Sequence, residues 1–227
     1  MRRKLFAVAL AAGTVLGAEA DEVVRWYDSA QKVTWGYVVT NGEATISTPS
    51  FWDANARDSV KGDIAVPARI GPDGPDGTTT YPVRDMATGL FRNCKNVTSV
   101  KLPDGIRRVA YQAFYFDRDS TITNVTIGAG CLEIGREAFE RCGKLEAVNI
   151  PNTVTNIGKD AFSMCRTLPS IDIPGSVKMI VDGAFSACDA LAAVTFGDGI
   201  ETIDVDAFMN CIALKAADLP ASVVSIG

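Results

Sequence analysis

Apolar and polar residues recur along most of this chain with a long, fixed period. A phenylalanine preceded by Ala, or once by Leu, returns at Phe91, Phe114, Phe139, Phe162, Phe185 and Phe208, in steps of 23 residues with a single step of 25. From Phe139 the apolar positions run Cys142, Leu145, Val148, Ile150, Val154 and Ile157. The next unit repeats them at Cys165, Leu168, Ile171, Ile173, Val177 and Ile180. A fixed period of this kind marks a solenoid, in which no unit covers its own apolar face and coils stack into a shared core. Within a unit, Val148 and Ile150 alternate with polar residues as a strand buried on one side does, and Pro151 ends it, because proline donates nothing to a ladder. Phe139 and Cys142, three residues apart, predict one short helical turn facing inward. Stacked strands should set the rungs about 4.8 Å apart.

The two ends differ from this pattern. Ile64, Val66 and Pro67 read as the strand end of a degenerate first unit, with Val83 and Met86 as its later core positions and an inserted Gly/Pro/Asp-rich loop over 70–81. Ahead of it, two alternating runs, 34–40 and 43–46, flank Asn41-Gly42, a strong hairpin signal. With Trp26, Trp35 and Trp52 this hairpin is expected to cap the first rung, which gives domains of 21–62 for the β cap and 63–227 for the solenoid. Residues 1–20, basic at Arg2, Arg3 and Lys4, then apolar, then small at Ala18 and Ala20, read as a secretory signal peptide. No stretch approaches the roughly 20 apolar residues of a membrane-spanning helix. The expected location is therefore secreted or at the cell surface.

The units read Ala-Phe-x-x-Cys-x-x-Leu-x-x-Val-x-Ile-Pro-x-x-Val-x-x-Ile-Gly, and eight or more positions hold register over four units between Glu137 and Ile226. This pattern resembles the BspA-like (Treponema pallidum-type) leucine-rich repeats of bacterial surface proteins, over about Asp63 to Gly227. The resemblance implies an α/β leucine-rich-repeat solenoid, β-rich, of about six 23-residue units. It also implies adhesion to host or neighbouring-cell proteins.

Charge and candidate chemistry refine this picture. Removing residues 1–20 moves the net charge from −5 to −7, and no basic, aromatic-interleaved face suited to nucleic acid is present. The sequence contains no histidine, which removes the Ser-His-Asp and Cys-His nucleophile systems and histidine zinc sites. Glu137, Asp160 and Asp206 share one repeat position, and Glu137 with Asp160 on adjacent rungs could resemble the carboxyl pair of a retaining glycosidase. Capping of the first turn by an acid explains that column more simply, and Gly183 interrupts it. Five of the six cysteines, Cys94, Cys142, Cys165, Cys188 and Cys211, share another position, and Cys131 takes the place of a core valine. They read as buried free thiols filling small apolar spaces, with one or more disulfides as the alternative and no paired Cys-x-x-Cys for a metal. Asp73 and Asp76 read as a solvated turn rather than a calcium loop.

No catalytic, cofactor or metal residue is assigned, and the chain is not expected to be an enzyme. The candidate partner-binding residues are Tyr111, Tyr115 and Phe116, an aromatic group beside the two-residue insertion that precedes Ile122, where Asp117 stands in place of Cys. Exposed strand positions such as Thr98, Lys101, Thr126, Asn149, Asp172, Thr195 and Asp218 suggest no epitope of their own. The expected partner is a protein, with no nucleic acid and no membrane span. The last unit, with apolar Met209 and Ile212 and an expected unpaired strand edge near Leu214 to Leu219, points to self-association. A passive stalk within a longer surface polypeptide is the alternative role.

Overall fold

A computed structural model describes residues 24–31, 33–47, 60–71, 77–117 and 120–227. The signal-peptide reading of 1–20, Trp52, and Asp73 with Asp76 lie outside the described residues. Three strands come first: β1 (Val24–Asp28), β2 (Val33–Thr40) and β3 (Glu43–Ser47). β1 and β2 run antiparallel, as do β2 and β3, and Asn41 and Gly42 take φ of 54° and 78° between them. Both φ values are positive, as the two central residues of a type I′ hairpin turn require. β3 then pairs in parallel with β6 (Tyr81–Met86), and β5 (Arg69–Ile70) closes that five-stranded sheet.

The solenoid carries two columns of parallel strands. The first comprises β4 (Lys61–Ala65), β7 (Asn96–Lys101), β9 (Asn124–Thr126) and β11 (Ala147–Val148), then separately β13 (Ser170–Ile173) and β15 (Ala193–Phe196). The second comprises β8 (Arg108–Val109), β10 (Glu133–Ile134) and β12 (Asn156–Ile157), then β14 (Met179–Ile180), β16 (Thr202–Ile203) and β17 (Ser225–Ile226). Side chains from both columns meet the phenylalanines in one continuous core. The six phenylalanine rings form a face-to-face stack with centroid separations between 4.8 and 5.3 Å and interplanar angles of 9° or less. The rung spacing expected of stacked strands is thus repeated in the rings. Trp35, fully buried, ends the stack edge-on against Phe91 at 6.4 Å. Glu43 of β3 accepts hydrogen bonds from Arg107 and faces Arg84 at 3.7 Å, tying the hairpin to the first rungs.

The turns around the phenylalanines are not helical, and no helix occurs among the described residues. Gly89, Gln112, Glu137, Asp160, Gly183 and Asp206 all have φ between 51° and 66°; four residues on, Asn93, Arg141, Met164, Ala187 and Asn210 have φ between 55° and 62°. These left-handed residues turn alternate amides outward along the solenoid axis. Phe139 N–H donates to Ala161 O at 2.7 Å and Phe162 N–H to Ala184 O at 2.8 Å, while Glu137 N–H donates to Lys159 O and Arg141 N–H to Ser163 O. A helical turn would spend those amides inside its own rung. The left-handed pattern makes them a third ladder between rungs.

The expected strand at Leu214 to Leu219 does not form. The only strand of the last unit is Ser225–Ile226, and Leu219 is exposed. Ala216 and Ala217 supply none of the β-branched side chains that pack well on a pleated surface.

Candidate functional site

The Ala-Phe turn column carries the aromatic group singled out above. Tyr111 is 41% exposed and Tyr115 half-buried, but Phe116 is fully buried, so its ring is not available to a partner. The reason lies in Asp117. A carboxylate in the cysteine column would be buried without a counter-charge; instead Asp117 stays exposed, where Asn93 Nδ2 donates to it at 2.6 Å, and Phe116 takes up core space. Phe116 also lacks the left-handed φ that the other five rungs show at this position.

The two tyrosines sit among charges. The Arg92 guanidinium lies 4.7 Å from the Tyr115 ring centroid, a cation–π contact. Arg92 donates to Gln112 Oε1, Gln112 donates to Glu137 Oε2, and Arg136 donates to Glu137 Oε1, all at 2.6 to 2.7 Å. Burial works against ionisation of Glu137, but the hydrogen bonds from Gln112 and Arg136 outweigh it and hold its carboxyl below the usual range. Burial and the Glu137 carboxylate push the Tyr111 phenol up, and burial with Glu140 does the same for Tyr115. Both phenols are thus held neutral beside this network of charges.

The acid column is not a set of helix caps. Glu137, Asp160 and Asp206 occupy left-handed positions, and the Glu137 carboxylate bonds to side chains, not to the amides of its own turn. Burial raises the Asp160 carboxyl, and that carboxylate lies over Gly183, where a β-carbon would meet Asp160 Oδ1. Glycine leaves room there for the Asp160 carboxylate, while its φ is one that Gln112, Glu137, Asp160 and Asp206 also hold in the same column. The cysteines are all free and buried. They fill space as expected and also bond: Cys142 Sγ–H donates to Phe114 O, Cys165 to Phe139 O, Cys188 to Phe162 O and Cys211 to Phe185 O, at 3.0 to 3.3 Å. The thiol column thus ties each rung to the one before it. Thiol bonding was not legible in the spacing, which predicts only burial.

The exposed strand face holds what the sequence reading passed over. A groove of about 580 Å³ lies across β9, β11 and β13, lined among others by Asn124, Thr126, Glu146, Asn149, Asn152 and Asp172. A second groove of about 360 Å³ across β4, β7 and β9 shares Asn124 and Thr126 with it and adds Gln31, Asp63 and Lys101. Glu137 and Asp160 line neither. Among the described residues no group of three or more potential metal ligands is found, and no helix is long and apolar enough to cross a membrane.

Residues 78–116 and 115–227 match the family described as BspA type Leucine rich repeat region, in six copies. Among solved structures, a leucine rich cell surface protein from Faecalibacterium prausnitzii is 28% identical with a TM-score of 0.65, over 91% of this chain and 51% of that one. A leucine-rich repeat protein from Bacteroides ovatus is 22% identical with a TM-score of 0.59, over 86% of this chain and 54% of its own. The leucine rich repeat protein of T. pallidum is 24% identical with a TM-score of 0.56, over 79% of this chain and 87% of its own. The chain therefore spans about half the length of the first two. No curated protein matches it.

Proposed function

The chain belongs to the BspA-type leucine-rich-repeat family, and from that premise we propose that it is an adhesin-like interaction module, exported by residues 1–20, that binds proteins of a host or of neighbouring cells. The observation that carries this reading is the contrast between inside and outside. Stacked rings, thiols and amide ladders hold the rungs at fixed spacing, while the exposed positions change from rung to rung. A rigid, continuous surface of this kind loses little conformational entropy on binding a protein partner. Tyr111 and Tyr115, backed by Arg92 and the Glu137 network, are the proposed anchors, since aromatic residues with a polar tip dominate interface energetics. Phe116 supports the turn from within.

The test is capture of extracellular and cell-surface proteins on immobilised residues 21–227, compared with a Tyr111→Ser, Tyr115→Ser variant of unchanged melting temperature. A saturable partner lost in the variant is the expected result. Saturable binding untouched by the double change sinks the assignment of the tyrosines, and no saturable protein binding sinks the module itself. A spacer within a longer surface polypeptide is the second reading, favoured by the half-length match to the F. prausnitzii protein. Self-association through the last unit is proposed as well, with Met209, Ile212, Val224 and Ile226, 46%, 76%, 83% and 62% exposed, as its apolar contacts.

A further inference from the structure

Charges on the Ala-Phe turn face are sorted by depth. On the rung of Phe139 the side chains of Glu137 and Glu140 are only 11% and 18% exposed, while Arg136 and Arg141, their partners, are 62% and 45% exposed. Both arginines come closest to their acid through Nε, at 2.7 and 3.5 Å, so the outer edge of each guanidinium is turned away from the carboxylates. The acids form a floor and the arginines an outer layer. Two exposed lysines extend that layer, Lys95 just past the left-handed Asn93 and Lys144 just past the left-handed Arg141, and neither forms an ion pair among the described residues. The cationic layer ends part-way along the solenoid. The turn position of Tyr111 is taken on successive rungs by Arg136, Lys159, Asp182 and Val205. From Met179 to Leu214 the chain has no lysine or arginine, but it carries Asp182, Asp189, Asp198, Glu201, Asp204 and Asp206. A chain of net charge −5 thus gathers exposed cations around Tyr111 and Tyr115.

A planar guanidinium takes a carboxylate through two parallel N–H···O bonds, and tyrosine with arginine supplies much of the binding energy at protein interfaces. Arg92, held over the Tyr115 ring, joins the two kinds of group on this face. Nucleic acid fits it poorly, because a phosphate backbone needs an unbroken basic groove and Asp117, exposed, stands between the rungs of Arg92 and Arg136. We propose that the turn face of the Phe91, Phe114 and Phe139 rungs docks an acidic segment of the protein partner, whose Asp or Glu carboxylates pair with Arg136 and Arg141, flanked by Lys95 and Lys144, while its apolar side chains lie on Tyr111 and Tyr115. This rests on the interaction-module reading and deepens it by giving the chemistry of the partner.

The experiment titrates residues 21–227 by NMR with the acetylated, amidated heptapeptide Glu-Asp-Leu-Phe-Glu-Asp-Glu, with its counterpart carrying lysine in place of every acid, and with a short oligothymidylate. The acidic peptide is expected to bind saturably, with shifts confined to residues 92–95, 111–117 and 136–144. Its affinity should fall at least about fivefold between about 50 and about 200 mM salt, as screening shortens the reach of the charges. The lysine peptide and the oligothymidylate should bind at least about tenfold more weakly. Lys95→Glu with Lys144→Glu, at positions that hold no ion pair whose loss could disturb the fold, should weaken the acidic peptide about tenfold. Lys61→Glu with Lys101→Glu, the same change of net charge on the strand face, should alter it by less than about twofold. No saturable binding of the acidic peptide, shifts spread over the surface, equal losses in the two double variants, or equal binding of the lysine peptide or the oligothymidylate would each overturn the inference. Capture of a protein through Tyr111 and Tyr115 alongside any of those results would leave the module reading standing and discard the acidic segment.

Discussion

Replacing Phe162 by alanine empties one place in the ring stack. Phe162 is fully buried, and its two faces meet Phe139 at 4.8 Å and Phe185 at 5.1 Å, both nearly parallel. Burying a phenylalanine and then truncating it costs about 3–5 kcal/mol, with the larger losses where the surroundings cannot collapse into the cavity. Here they cannot, because Phe162 N–H is tied to Ala184 O and Cys188 Sγ–H to Phe162 O on the following rung, and Phe139 N–H to Ala161 O and Cys165 Sγ–H to Phe139 O on the preceding one. A loss of about 4–5 kcal/mol is therefore expected, part of it the roughly 0.5–1.5 kcal/mol that each stacked aromatic pair contributes beyond area. In a stack whose stability is a sum of unit and neighbour terms, that loss falls on two interfaces at once. Urea unfolding followed by circular dichroism reads it directly. With a slope of about 2 kcal/mol per molar, the midpoint should fall by about 2 M. Thr195→Ala, exposed on β15, should stay within about 0.5 kcal/mol of the parent. Equal midpoints for the two variants would refute the register and the central place given to the ring column.

Burial pushes the Cys142 and Cys165 thiols well up, so folded thiols stay protonated where unfolded ones ionise. Their contribution to stability is present below the unfolded pKa of about 8.5 and falls above it by about 1.4 kcal/mol per pH unit per thiol; a Cys142→Ala, Cys165→Ala variant, compared by thermal melts between pH 8 and 11, should lose less on alkalinisation than the parent, and parallel curves would contradict this. Thiol titration should find most cysteines unreactive until the protein is denatured, and then free without reductant; quantitative disulfides in blocked, denatured protein would overturn that. Phe162 N–H bonds to the next rung, while the Asp206, Phe208 and Asn210 amides make no such bond, so hydrogen exchange should be much faster at those three than at Asp160, Phe162 and Met164; equal protection would count against the third ladder. Sedimentation of residues 21–227 should show mass rising with concentration, and Ile212→Asp with Val224→Asp should suppress it; a monomer at all concentrations would remove the apolar end as a contact.

The inward positions were legible because burial repeats: each phenylalanine, leucine and strand valine recurs in register, and a core column admits few residue types. The hairpin cap was legible from Asn41-Gly42 for the same reason, since few residues accept positive φ at both central positions. The left-handed turn residues were not. Gln112, Glu137, Arg141, Met164 and Ala187 hold that conformation without the glycine or asparagine that would announce it, because an amide ladder between rungs offsets the steric cost. Gly89, Asn93, Asp160, Gly183, Asp206 and Asn210 carry the signal, scattered across two columns. Phe116 misled because an aromatic at a normally polar position reads as exposed, and only the displacement of Asp117 from the core explains why it turns inward. The groove was invisible to a reading of single exposed positions. Its lining comes from three successive rungs, from Asn124 to Asp172, and no single position implies it.

The central claim, that the constant interior of this solenoid holds a variable surface in place to bind a protein, is tested most directly by mapping hydrogen exchange on residues 21–227 with and without a captured extracellular partner. The account expects protection in a contiguous set of surface segments that includes the Tyr111–Tyr115 turn, with the amides of the phenylalanine ladder unchanged. Protection spread evenly over all rungs, or no segment protected at saturating partner, would contradict it.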